Sequence, residues 1–349
     1  MKDARSEGFF MQIHVCLSPH FVKRKRICNL QVQKKINMNR LIYLLCTLFL
    51  IASCHSADEQ DTAIPERPKA PYLIVLGIAQ DAGYPQAGCT KVCCQDIWEG
   101  QREGKMVSCL ALVDPISQQA WMFDATPDFR NQLHLLEQHA PLSGIFLTHA
   151  HIGHYTGLMH LGREVMGADK TPVYAMPKMR NFLTENGPWS QLVDLQNIQL
   201  YLLRADSTIQ LNERLRVTPF QVPHRDEFSE TVGYLIESQQ VSIAFIPDID
   251  KWNKWSTDIA GLVHAVDYAF VDGTFFENGE IPGRDMSEIP HPFIKETMHA
   301  LNDLDLLDKA KVHFIHFNHT NPVLRDEASR KAVEHAGFRL AWQGQIVPL

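Results

Sequence analysis

Residues 144–161 read GIFLTHAHIGHYTGLMHL. A short apolar run, Ile145 to Leu147, ends in Thr148, and His149, His151 and His154 follow before a helical pattern opens near Tyr155. An apolar run of this length reads as a buried strand. Alternate side chains of an extended backbone share a face, so His149 and His151 point the same way. His154 starts the next turn and can reach back over the same spot. Neutral imidazole is the commonest zinc ligand, and a metal needs several ligands converging. With 17 histidines in 349 residues some clustering arises without function, but three within six residues at a strand-to-helix junction point to a metal site.

The ends of the chain bound the problem. The length fits one large domain or two small ones. Residues 1–37 carry no core pattern and hold the basic run Lys23, Arg24, Lys25, Arg26. Met38-Asn39-Arg40 then precedes the apolar run Leu41 to Ser53, broken only by Cys46 and Thr47. A basic start followed by an apolar stretch too short for a comfortable membrane span is the pattern of a secretory signal. Its end, Ile51-Ala52-Ser53-Cys54, resembles the lipobox of bacterial lipoproteins, in which the cysteine is lipidated and becomes the mature N-terminus. The expectation is a translation start at Met38 with 1–37 an upstream extension, a signal peptide at 38–53, a flexible tether at 54–70 carrying Pro65 and Pro68, and a globular domain at 71–349. The protein would then be exported and anchored to a membrane through lipidated Cys54, on the periplasmic or cell-surface side. An uncleaved N-terminal anchor is the alternative.

Charge follows the same division. Residues 1–53 hold nine Lys and Arg against two Asp and Glu, leaving 24 against 38 in the remainder, a net of −14. So acidic a surface repels polyphosphate backbones and disfavours nucleic acid as a partner, which leaves a small-molecule substrate.

From Pro71 on, strands are expected at Tyr72 to Ile78, Leu110 to Val113 and Trp121 to Phe123, the last two as a hairpin. Further strands follow at Val173 to Ala175, Ile198 to Leu203, Leu215 to Val222, Thr231 to Glu237, Val241 to Ile246, Tyr268 to Val271, Val312 to Ile315 and Phe338 to Trp342. Helices are expected at Phe129 to His139, Lys178 to Glu185, Lys295 to Leu307 and Glu327 to Ala336, and pocket-lining loops at 189–194 and 279–291. Hairpins early and strands alternating with helices later fit a layered α/β domain. Polar residues recur at strand ends: Pro223-His224, Pro247-Asp248, Asp272 and His316. Strand ends line up along one edge of a sheet, where open α/β folds place their ligands. Any one of these would more often be a cap or turn residue; their recurrence marks a cleft.

The central stretch resembles the His-x-His-x-Asp-His signature of the metallo-β-lactamase fold superfamily, departing where Gly153 stands in place of the aspartate. The resemblance implies a four-layer αββα sandwich. It also implies that His149, His151 and His224 hold a first metal, that Asp248 is a bridging carboxylate, and that His154 and His316 belong to a second site. His319 rivals His316, and Asp250 rivals Asp248; the residue nearer the strand end is preferred in both cases. Glycine supplies no oxygen, so about one active-site ion is expected and Gly153→Asp should add a ligand. Two things would change that: a positive φ at Gly153, or another carboxylate, such as Asp81 of the first loop, standing in.

Several segments resemble the family of the pyrroloquinoline-quinone biosynthesis protein B more narrowly. They are LGIAQDAGYPQ at 76–86, Ala125-Thr126-Pro127-Asp128, VPHRDE at 222–227, Thr231-Val232-Gly233-Tyr234, VDGTFF at 271–276 and His319-Thr320-Asn321-Pro322. That family's pattern lacks the first two histidines and keeps the Asp-His pair, the reverse of this chain. With the exported leader, this implies a relative with a different task. Cys89, Cys93 and Cys94 resemble the clustered cysteines that bind a structural metal at the same place in that family, with a fourth ligand to come from elsewhere; a disulfide is the alternative.

The expected activity is metal-dependent hydrolysis of an ester, lactone, amide or phosphodiester. Three neutral ligands leave a zinc ion's charge intact, enough to lower the pKa of water to roughly 7. Asp248 would take or orient the proton, and His316 or His154 would protonate a leaving group. Two other classes remain: an iron-dependent oxygenase or hydroxylase related to quinone-cofactor synthesis, and a non-catalytic metal-binding lipoprotein.

Overall fold

Among the described residues, fourteen strands in two seven-stranded sheets frame the site. The computed structural model describes residues 68–349, so the segments expected as signal peptide, lipobox and most of the tether lie outside the described residues. No helix among the described residues is long and apolar enough to cross a membrane. In chain order the strands are β1 (Tyr72–Gly77), β2 (Cys109–Asp114), β3 (Gln119–Phe123), β4 (Leu142–Phe146), β5 (Thr171–Ala175), β6 (Ile198–Leu202) and β7 (Ile209–Gln210), then β8 (Arg216–Gln221), β9 (Val232–Glu237), β10 (Ser242–Ile246), β11 (Tyr268–Asp272), β12 (Val312–Ile315), β13 (Arg339–Leu340) and β14 (Ile346–Pro348). One sheet runs β14-β1-β2-β3-β4-β5-β6 and the other β13-β12-β11-β10-β9-β8-β7.

Strands buried on both faces read as continuous apolar runs. β1 shows why: Leu73 and Val75 belong to the core between the sheets, while Tyr72, Ile74 and Leu76 face the helices outside. β2 and β3 alternate likewise, with Leu110, Leu112, Trp121 and Phe123 inward and Ala111, Val113, Ala120 and Met122 outward. The helix Phe129–Glu137 covers the outer face with Phe129, Gln132, Leu133 and Leu136. That spacing is one face of a 3.6-residue period. Ile259, Val263, Ile294 and Val333, on helices beside the second sheet, join its strands in one hydrophobic cluster. The result is the four-layer αββα sandwich.

The segment expected as one helix from Lys295 to Leu307 is two. Ile294–Ala300 stops, and Asp305 accepts a hydrogen bond from Asp308 N to cap a separate helix, Leu306–Lys311. The apolar spacing ran on through the break, but a carboxylate at the cap position starts a new helix. Residues expected as a strand from Phe338 to Trp342 pair only at Arg339–Leu340, and the chain closes instead on β14 against β1. Trp189–Asp194, expected as a loop, is a helix.

β10, β11 and β12 are mutually parallel, and β8 lies antiparallel to β9, which lies antiparallel to β10. The ends of β8, β10, β11 and β12 therefore share one edge, which carries His224, Asp248, Asp272 and His316. The loop after β4 reaches the same edge because β9 anchors it: Val232 N donates to Thr148 O at 3.1 Å, and Tyr234 Oη donates to Leu147 O.

Candidate metal centre

His149, His151, His224 and Asp248 offer one ligand atom each within 4.8 Å of one another. His149 Nε2 lies 2.8 Å from His151 Nδ1 and 3.4 Å from Asp248 Oδ2. His224 Nε2 lies 3.4 Å from Asp248 Oδ1. His151 keeps extended backbone angles just before the short helix Ile152–Tyr155, which holds it beside His149. Burial pushes the pKa of His149 well below the ordinary histidine value, and the nearby His154 adds to that. Burial likewise lowers His224, to about 4, although Asp248 opposes it. Both rings are thus neutral, the form that donates a lone pair.

A second group shares Asp248. Asp81, His154, Asp248 and His316 also place one ligand atom each within 4.8 Å of one another. His154 Nε2 lies 3.2 Å from Asp81 Oδ1 and 3.5 Å from Asp248 Oδ2; His316 Nε2 lies 3.7 Å and 3.8 Å from the same two atoms. Burial opposes charge on His154, but Asp124, Asp248 and Asp81 outweigh it and raise its pKa well above the ordinary value. Carboxylates that favour a proton there favour a cation equally. Burial would raise the Asp248 carboxyl, but His224, His291 and His316 hold it well below the usual range.

The donors fit a metal. Among buried polar atoms without a hydrogen-bond partner are His154 Nε2, His224 Nε2, His316 Nε2, Asp248 Oδ1 and Asp81 Oδ1. Buried polar atoms are nearly always paired, so five orphans converging on one cleft need an external partner. The opposite ring nitrogens of His154, His316 and His151 are occupied, whereas His224 leaves both of its nitrogens unpartnered. His154 Nδ1 lies 2.7 Å from Asp124 Oδ2, His316 Nδ1 lies 2.9 Å from Thr274 Oγ1, and His151 Nε2 lies 3.0 Å from Glu227 Oε2. Partners of this kind orient ligating imidazoles in metal sites. Asp124 and His316 sit at strand ends with φ of 72° and 67°. Non-glycine residues rarely adopt such angles, with Asp and His among those that do so more readily.

The structure separates the rival ligands. His316 enters the cleft, whereas His319 joins Cys89, Cys93 and Cys94 in a further group with ligand atoms within 4.8 Å. Asp250 faces away and pairs with Lys254 Nζ at 2.7 Å. The three cysteines are free thiols, with Cys89 Sγ 3.7 Å from Cys93 Sγ, and His319 Nδ1 is unpartnered. His319 thus occupies the place of the expected fourth ligand. Cys109 lies apart, its thiol donating to the carbonyls of Leu110 and Asp124. A cavity of about 540 Å³ lined by Lys91, Cys93, Phe276, Glu280 and Arg325 opens beside the cysteines, not over the histidines.

Four participants were not singled out from sequence. Asp124, Thr274 and Glu227 orient the rings named above; Thr274 and Glu227 lie within the family-like segments 271–276 and 222–227, but their spacing assigns them no role. His291 comes from the 279–291 loop: its Nδ1 lies 2.8 Å from Asp272 Oδ2 and 3.1 Å from Asp248 Oδ1. Burial opposes a charge on it, yet Asp272 and Asp248 raise it to about 10. A lone histidine between two prolines carries no periodic or motif signal.

Residues 121–317 match the beta-lactamase superfamily domain. The chain belongs to that superfamily. Within it, the chain is 26% identical to coenzyme PQQ synthesis protein B of Rhizobium meliloti over 309 residues, 79% of this chain and 97% of that one. It is 27% identical to the protein of the same name from Methylorubrum populi over 311 residues, covering 80% and 100%. Of solved structures, Zn(2+)-bound PqqB from Methylobacterium extorquens superposes with a TM-score of 0.67 at 23% identity, covering 80% of this chain and all (100%) of that one. A diphosphatase of the PhnP family superposes at 0.59 with 21% identity, covering 80% and 97%. These structures share the superfamily's fold with this chain.

Proposed function

We propose that this chain is a metal-dependent hydrolase acting on a small ester, lactone, amide or phosphodiester. The observation that carries this reading is the convergence of His149 Nε2, His151 Nδ1, His224 Nε2 and a carboxylate oxygen of Asp248 at the mouth of the sandwich. When bound, zinc supplies Lewis-acid polarisation of the substrate oxygen and a lowered pKa for water. The protein does the rest. His149 and His224 are held neutral by burial, and His151 is aimed by Glu227. Asp248 stays ionised and can accept a hydrogen bond from the attacking water, orienting it. His291 keeps a proton at Nδ1 against Asp248 and Asp272, which fixes the carboxylate's direction. Beside Glu227, the exposed ring of Phe228 packs 5.7 Å from Phe182, an apolar edge for a substrate's non-reacting part.

Cys89, Cys93, Cys94 and His319 form a second, structural zinc site in this reading. Three thiolates and one imidazole are a common closed zinc set. The Met38–Cys54 pattern further supports an exported, lipid-anchored enzyme.

The test is to supply chelator-stripped protein with zinc and assay p-nitrophenyl esters, lactones and bis-p-nitrophenyl phosphate. Turnover of at least one class is expected, lost in His149→Ala while circular dichroism stays unchanged. Absence of turnover on every class, or full activity in the variant, would refute the reading.

A further inference from the structure

The central motif carries glycine at 153, and the structure shows what fills the space. A Cβ built on Gly153 would meet Asp81 Oδ1 at 2.1 Å, Asp81 Cα at 2.6 Å and Asp81 Cγ at 2.8 Å. Real Cβ atoms do not approach so closely. Gly153 has helical backbone and no positive φ, so glycine is required there by the approach of Asp81 and not by backbone conformation. A carboxylate from 72 positions earlier in the chain thus lies over the residue where the superfamily signature has its own.

The loop that carries Asp81 is held in place. Gln80 N donates to Phe317 O at 2.8 Å, Phe317 N donates to Ile78 O at 2.8 Å, and Asn318 Nδ2 donates to Gln80 Oε1. Gly83 N closes the turn on Gln80 O at 2.8 Å. The loop is therefore stitched to the chain on the C-terminal side of His316. Asp81 Oδ1 faces His154 Nε2 and His316 Nε2, and all three atoms are buried without a hydrogen-bond partner.

We propose that Asp81 supplies the carboxylate that Gly153 lacks, so that Asp81, His154, Asp248 and His316 form a second cation site beside the one at His149, His151 and His224. This rests on the metal reading of the cleft. It changes the expected stoichiometry from one active-site ion to two, with Asp248 shared between them. It also reverses the expectation for Gly153→Asp: the added side chain collides with Asp81 and brings no new ligand. Gly153 leaves the space that Asp81 occupies, and a side chain at 153 is not accommodated while Asp81 stands there.

The experiment is a zinc count on the full chain. Stripped protein is equilibrated with Zn2+ alone, dialysed and analysed for metal and protein, comparing wild type with Asp81→Asn, Gly153→Ala and His149→Ala. Differences between variants cancel any cysteine-bound ion. Asp81→Asn is near-isosteric and keeps the fold testable. The proposal expects Asp81→Asn to lose one ion per chain, and Gly153→Ala to lose the same ion and melt at lower temperature. Alanine in a helix is ordinarily the more stabilising residue, so the sign is diagnostic. If Asp81→Asn keeps the wild-type count while His149→Ala loses an ion, the Asp81 site is refuted and the hydrolase reading stands. If neither variant loses metal, both fall.

Discussion

His151 stands between Glu227 and His149: its Nε2 lies 3.0 Å from Glu227 Oε2 and its Nδ1 lies 2.8 Å from His149 Nε2. Glu227 accepts from one nitrogen and leaves the other as the ligand atom. Removing such a partner typically costs a metal site roughly ten- to a hundredfold in affinity. Glu227→Ala is expected to weaken zinc binding at the His149 site by about tenfold, the lower end of that range, because Glu227 is half exposed. Competition against a chromophoric chelator measures it, and unchanged affinity would show that His151 needs no such partner.

Asp124 has the corresponding role for His154, and a deeper one in folding. Fully buried, it accepts from Thr148 N at 2.8 Å and Thr148 Oγ1 at 3.0 Å as well as pairing with His154. Asp124→Ala strands a buried N–H and a buried imidazole together. A loss of about 3 kcal/mol or more in unfolding free energy is expected. Urea denaturation of the stripped protein measures it, and a loss below about 1 kcal/mol would show that the network relaxes around the gap.

His313, on β12 in the second sheet and away from the cleft, makes the fold acid-sensitive. Burial lowers its pKa to about 4, and the Arg339 guanidinium adds to this. Gln345 Nε2 donates to its Nδ1 at 3.3 Å. A folded-state pKa below the unfolded value means that the unfolded chain binds the extra proton. Stability is therefore present in full above the unfolded value of 6.5 and is lost as pH falls from there towards about 4. The loss reaches about 3 kcal/mol. Denaturation curves should show His313→Asn losing less stability than wild type on acidification; parallel losses would assign the sensitivity elsewhere.

The lipid anchor is proposed from the sequence alone, and its test is direct. Cys54→Ala expressed from Met38 in a bacterial host should leave the membrane fraction for the soluble exported one. A variant that still sediments with membranes would make the Leu41–Ser53 run itself the anchor.

What could be read from the chain was what periodicity and strand ends encode. The continuous apolar runs of β1, β2 and β3, buried on both faces, follow from the sequence, and so does the placement of His149, His224, Asp248 and His316 at strand ends. Partners drawn from distant loops leave no such trace. His291 lies 43 residues beyond Asp248 in a proline-rich loop, and Glu227, though within the family-like segment 222–227, has no spacing that marks it as the partner of His151. Only Asp81 was open to anticipation, because the missing carboxylate at 153 asked for a substitute. The extra helix cap at Asp305 was hidden for the opposite reason: the apolar spacing of Met298, Leu301 and Leu304 continued across the break.

Anomalous scattering at the zinc edge, from crystals of the protein, decides whether the histidine cleft holds metal. Density is expected bounded by His149 Nε2, His151 Nδ1 and His224 Nε2, with Asp248 alongside, a neighbouring peak at Asp81, His154 and His316, and a separate peak at Cys89, Cys93, Cys94 and His319. Density at the cysteines alone, with none among the histidines in the presence of saturating zinc, would contradict the metal-dependent hydrolase account.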